Sequence, residues 1–247
     1  MEGMLEKSLY VTVSHCGADG AMTVDRLLEF FQDLASQHGE MIGVGLEDMT
    51  RKQRFWLTVR SRVRVFRAPR LGETVTGTTW PAPPNGLRCD RFYTVHGADG
   101  ALLADGRTEW AVFDTAAGRV ASPKGIFPEG LAYRAGTAGG EGFRRLPTDF
   151  ADVPELRAYT VPSTDIDVGR HLNNVAYSRI LLGAFPVAQR LKQPVTELEL
   201  CYRQPCFEGE TLSVRARAGE GCTELAILRP DGAAALLGRM VTTHDGN

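Results

Sequence analysis

The chain repeats itself, and a repeat of this length calls for two similar domains in succession. Arg67, Pro69, Gly72, Glu73, Thr74 and Val75 read R-x-P-x-x-G-E-T-V. Arg203, Pro205, Gly209, Glu210, Thr211 and Leu212 read R-x-P-x-x-x-G-E-T-L, with one residue inserted. Further on, Asp99-Gly100-Ala101 is followed by Gly106-Arg107, and Asp231-Gly232-Ala233 by Gly238-Arg239 at the same spacing. Two matched signals in the same order point to duplication, and so long a period excludes a solenoid of short repeats. The 247 residues suit two domains of about 120 residues each.

The elements around these markers also match. From Thr23, Val24, Leu27, Leu28, Phe31, Leu34 and Ala35 fall at the spacing of one buried helical face. Thr23 is placed to cap that helix, and Asp25 suits the positive end of its dipole. In the second half Asn174 to Arg190 is apolar on nearly every side, as an enclosed helix is, and Pro186 should end or kink it. Strand-like runs follow each helix. Phe55 to Phe66 alternates Leu57, Val59, Val63 and Val65 with Arg60, Arg62 and Arg64. Leu87–His96, Ala101–Phe113, Leu198–Arg203, Thr211–Ala218, Glu224–Leu228 and Ala234–Thr243 are further candidates, and the two Asp-Gly pairs read as hairpin turns. Each half is thus expected to wrap a curved antiparallel sheet around a central helix, an α+β architecture used twice. The Gly-rich stretch RAGTAGGEG reads as an exposed linker. The expected division is 1–135, a linker at 136–149, and 150–247.

Composition excludes several classes. A net charge of −2 argues against nucleic acid as a partner. Five cysteines with no C-x-x-C pair argue against a disulfide framework and a zinc ribbon. No apolar run approaches the ~20 residues of a membrane span, and the N-terminal segment lacks the pattern of a secretory signal. The expectation is a cytoplasmic protein without membrane association.

Chemistry concentrates in one segment, Thr164 to Tyr177, which reads T-D-I-D-V-G-R-H-L-N-N-V-A-Y. Asp165, Asp167, His171, Asn173 and Asn174 fall within ten residues, where a strand hands over to the buried helix. The matching segment of the first half, His15 to Thr23, lacks the H-x-N-N part. One half looks chemical and the other structural.

The pattern D-x-D-x-x-x-H-x-N-N-x-x-Y before a long apolar helix resembles the acyl-acyl carrier protein thioesterases of plants and bacteria. The resemblance extends to Trp56-Leu57-Thr58, to the G-E-T-V and T-E-W-A-V-F-D segments, and to Tyr202-Arg203 and Cys206. It implies two tandem hotdog domains. The second would be catalytic, and the first would contribute to the acyl pocket and to carrier docking. It also implies hydrolysis of a fatty acyl thioester, acyl carrier protein as partner, no cofactor and no metal; a homodimer is compatible with it. Gly169 stands where the plant enzymes carry an active-site asparagine, and Pro205 where a glutamate is thought to be the base. Asp167 and His171 remain. In this reading Asp167 is base or nucleophile, His171 orients water or protonates the thiolate, Asn173 positions either, and amides at the helix start hold the oxyanion.

Plainer roles stand beside these. Asp165 and Asp167 suit Asx turns, Asn173 or Asn174 a helix cap, and Cys206 a small buried hydrophobe. Arg60, Arg62 and Arg64 lie in the densest basic region, either a solvated strand face or the surface that meets an acidic carrier protein. Two other functions fit the same fold: hydrolysis of acyl-coenzyme A, and acyl binding without hydrolysis, which Gly169 and Pro205 would favour.

Overall fold

In the computed structural model, which describes residues 2–243, the chain divides into two compact units that part in sequence between Glu141 and Gly142. The first contains β1 (Glu2–Gly3), β2 (Leu5–Tyr10), α1 (Val24–Met41), α2 (Leu46–Arg51), β3 (Arg54–Val65), β4 (Thr74–Pro81), β5 (Cys89–His96), β6 (Leu102–Asp114), β7 (Arg119–Ala121) and β8 (Ala132–Tyr133). Its main sheet runs β2-β4-β5-β6-β3, antiparallel throughout, with β7 beside β6. The second contains β9 (Glu155–Thr160), α3 (Asn174–Gly183), α4 (Val187–Lys192), β10 (Val195–Tyr202), β11 (Thr211–Gly219), β12 (Cys222–Leu228) and β13 (Ala234–Thr242). Its sheet runs β9-β11-β12-β13-β10. The two strand orders are the same, so the duplication read from the sequence is present in the topology.

Glycine lets α1 approach its sheet. Phe30 and Phe31 lie on Gly77 of β4 and Gly106 of β6, where an added Cβ would come within 2.4 and 2.3 Å of the rings. Phe31 also stacks on Tyr93, with ring centroids 4.6 Å apart. Thr23 occupies the N-cap position of α1 with extended backbone, but its side chain makes no capping bond. Helix α3 stops at Gly183, and Pro186 occupies the N-cap position of α4, where a missing N–H forfeits no intrahelical bond. Both Asp-Gly pairs form turns, with Gly100 and Gly232 at φ 80° and 82°, where a Cβ would be strained.

Three expectations need correction. The N–H groups of Phe66 and Arg67 both reach Leu103 O, and those of Arg203 and Gln204 both reach Ala235 O. Phe66 therefore corresponds to Arg203 and Pro69 to Cys206, with no insertion. The G-E-T and D-G matches are genuine, while the R-x-P match is a one-residue slip. The segment 136–149 is not a bare tether either: Ala138 is buried beside Trp80 and Phe92, and Leu146 packs with Phe150 against the second sheet. Finally, the arginines of β3 are not a solvated row. A register shift between Thr58 and Arg60 breaks the alternation. Arg62 is 4% exposed and donates to the Gly139 and Glu141 carbonyls at 3.0 and 2.7 Å. Arg64 forks onto Asp105 at 2.8 and 2.5 Å, and Arg60 is half-buried with its own partner. Arg62 and Arg64 are thus bonded within the first unit.

Candidate active site

The residues singled out in the second half lie on a tight hairpin that feeds α3. Ile166 bridges Leu172, the Asp167 N–H donates to His171 O, and the Arg170 N–H donates to Asp167 O. Arg170 turns the chain at φ 60°. This closure sets Asp167 and His171 opposite one another, with Nδ1 3.9 Å from Oδ1. That is ion-pair reach rather than a hydrogen bond. Both side chains are partly exposed, at 23% and 33%. The Gly169 N–H donates to Asp167 Oδ1 at 2.8 Å, an Asx turn that fixes the carboxylate. His171 Nδ1 also lies 3.2 Å from Leu172 O.

Gly169 fits this geometry closely. A Cβ there would come within 2.8 Å of His171 Nε2 and 3.0 Å of Asp167 Oδ1. A larger residue at 169 would wedge between the two groups the hairpin brings together.

Asp165 and Asn173 have other duties. Asp165 is buried and accepts from Tyr159 Oη and Arg179 Nη2, both at 2.5 Å. Its carbonyl receives the Asn173 N–H. Asp165 thus anchors the hairpin to β9 and α3 and presents no carboxylate for chemistry. Tyr159 and Arg179 were not legible from local spacing, because one lies a strand away and the other a turn and a half into α3. Asn173 caps α3, its Oδ1 accepting from the Val175 N–H at 2.8 Å while its carbonyl takes the Ala176 N–H. Two amides expected to hold an oxyanion are therefore already engaged. Asn173→Ala should cost about 1 kcal/mol of stability, the usual loss of a cap; urea denaturation checks this, and an unchanged midpoint would remove the capping role.

Cys206 is fully buried, and its carbonyl accepts the Leu172 N–H, tying the β10–β11 loop to the hairpin. Burial pushes its thiol pKa up, which disfavours the thiolate. Cys206→Ser should leave turnover essentially unchanged while lowering thermal stability, since a hydroxyl costs more to bury. A kinetic loss as deep as that of a catalytic substitution would restore the thiol to the chemistry.

The first half carries the same hairpin without the groups. Cys16 bridges Met22, the Gly17 N–H donates to Ala21 O, the Gly20 N–H donates to Gly17 O, and the Thr23 N–H donates to His15 O. Gly17, Ala21 and Thr23 therefore stand at the places of Asp167, His171 and Asn173. Backbone is preserved and chemistry is not.

Two matching sheet-and-helix units make a duplicated hotdog fold, and among the described residues one of them pairs a carboxylate with an imidazole at the entry to its central helix. Residues 3–125 match the acyl-ACP thioesterase N-terminal domain and residues 150–232 its C-terminal domain; the chain belongs to the acyl-ACP thioesterase family. An acyl-[acyl-carrier-protein] hydrolase of Cuphea viscosissima is 25% identical over 240 residues, covering 90% of this chain and 58% of that protein. A palmitoyl-acyl carrier protein thioesterase of Arabidopsis thaliana is 26% identical over 210 residues, covering 79% and 50%. The chain thus spans little more than half the length of these curated relatives. In structure, an acyl-ACP thioesterase from Bacteroides thetaiotaomicron superposes with a TM-score of 0.88 over 98% of both chains at 17% identity. The 12:0-ACP thioesterase from Umbellularia californica gives 0.79 over 97% of both at 18% identity.

Proposed function

We propose that this chain hydrolyses fatty acyl thioesters presented on acyl carrier protein, releasing free fatty acid and the carrier thiol. The observation that carries this reading is the Asp167–His171 pairing across the hairpin at the N-terminal end of α3. Asp167 is fixed by one backbone donor and partly open to solvent, so it can take a proton from water or attack the acyl carbon itself. In the water route, hydroxide adds to the carbonyl carbon and the carbonyl oxygen becomes an oxyanion. The C–S bond then breaks, and the leaving thiolate takes the proton back from Asp167, directly or relayed through His171. The oxyanion forms near the positive end of the α3 dipole, where the acyl oxygen competes with Asn173 Oδ1 for the Val175 N–H. Membership of the acyl-ACP thioesterase family supports acyl carrier protein over coenzyme A as the carrier.

Steady-state turnover of medium- and long-chain acyl groups on both carriers tests the proposal. Higher kcat/KM on acyl carrier protein is expected. Background rates on both carriers, in protein shown to be folded, would sink it. His171→Ala should lower kcat less than loss of Asp167 does, because water can partly replace an orienting imidazole.

A further inference from the structure

The helix-facing side of the first sheet holds a charge that none of this chemistry uses. Arg91 of β5 is 6% exposed and lies under α1. Its Nη1 lies 3.0 Å from His38 Nδ1 and donates to Thr79 Oγ1 at 3.3 Å. His38 is itself fully buried, and its Nε2 lies 3.3 Å from the Glu2 carbonyl. Burial, then the Arg91 charge, lowers its pKa to about 4, so it is a neutral acceptor. Beside Arg91 in register stands Thr108 of β6, whose hydroxyl meets Tyr93 Oη at 2.9 Å and Trp110 Nε1 at 2.5 Å.

Arg91 has no carboxylate partner among the described residues. Neither its Nε nor its Nη2 has a protein acceptor among the described residues. Elsewhere in the same unit that edge of a guanidinium is filled. Arg64 presents Nε and Nη2 to the two oxygens of Asp105, and Arg107 presents the same pair to Asp90. A buried, uncompensated cation is costly, so its retention calls for a partner. The fold itself does not require it: by strand register, Thr223 and Ala216 stand in the second unit where Arg91 and Thr79 stand in the first.

We propose that the Nε/Nη2 edge of Arg91 is a binding site for the carboxylate of an aliphatic acid, seated inside the first unit. A planar carboxylate matches that two-donor edge. The neighbouring surfaces, Phe31 stacked on Tyr93 with Trp110 close by, suit an alkyl chain. The carboxylate is that of a free fatty acid.

The test is calorimetric titration of the full chain with octanoate, monomethyl suberate and octanol, repeated on Arg91→Met and Arg91→Lys. Both carboxylates should bind wild type at least about tenfold more tightly than octanol, the scale of a hydrogen-bonded charge pair. Arg91→Met should lose that preference and melt higher than wild type. Arg91→Lys, which keeps the charge and loses the planar edge, should retain only part of it. Failure of either carboxylate to bind folded wild type, or equal binding to Arg91→Met, overturns the site. Binding is read without turnover, so failure of the site and failure of hydrolysis are distinguishable.

Discussion

Asp167→Asn should reduce thioester hydrolysis by at least about 100-fold while leaving the fold intact, the scale of losing a general base. The substitution is nearly isosteric, and the Asn side-chain oxygen can still accept the Gly169 N–H that holds the residue in its turn. The hairpin closes through backbone bonds between Asp167 and His171 and between Arg170 and Asp167, which the change does not touch. What disappears is the negative charge facing His171 and the capacity to take a proton or attack carbon. Parallel kinetics and thermal melts decide the matter. An unchanged melting point with kcat near background fits a catalytic carboxylate, whereas near wild-type kcat would move the chemistry elsewhere. Asp165→Asn is the control. Its carboxylate binds Tyr159 and Arg179 in a buried pocket, so its loss should appear first as instability.

Most of the scaffold was legible because its signals are local. Apolar spacing marked α1, Asp-Gly marked both hairpin turns, and Pro186 marked the end of α3. The hairpin carrying Asp167 and His171 was legible as a motif, and its stripped counterpart at His15 to Thr23 followed from the repeat. What could not be read depends on side chains meeting across the fold. Alternation in β3 suggested a solvated arginine face, but a bulge before Arg60 and the carbonyls of Gly139 and Glu141 drew Arg62 inward. The motif placed Asn173 beside the chemistry, yet its oxygen is occupied as a helix cap. Arg91 gave no signal at all, since one arginine in a strand is ordinary until its partners are known.

Phe31→Ala should be among the most damaging single changes to the first unit, costing about 3–5 kcal/mol as buried aromatic truncations do. The ring is 1% exposed, stacks on Tyr93 and rests directly on Gly106. A floor of glycine cannot rise to fill the space the ring leaves. The reverse insult, Gly106→Ala, drives a methyl into the same ring at 2.3 Å and to 2.9 Å from Arg62 O, so overpacking of about 1–3 kcal/mol is expected. At the matching place in the second unit, Gly238, the nearest atoms to a new Cβ are side-chain carbons at 3.2 and 3.3 Å, and Gly238→Ala should be milder. The two first-unit changes should also couple. In the Phe31→Ala background, Gly106→Ala should lose most of its cost but not all, because the backbone oxygen of Arg62 remains in the way. Urea denaturation of the four variants of this cycle and of Gly238→Ala measures each term. Equal penalties at Gly106 and Gly238, or strict additivity within the cycle, would show that close approach of α1 through glycine does not set the packing of this sheet.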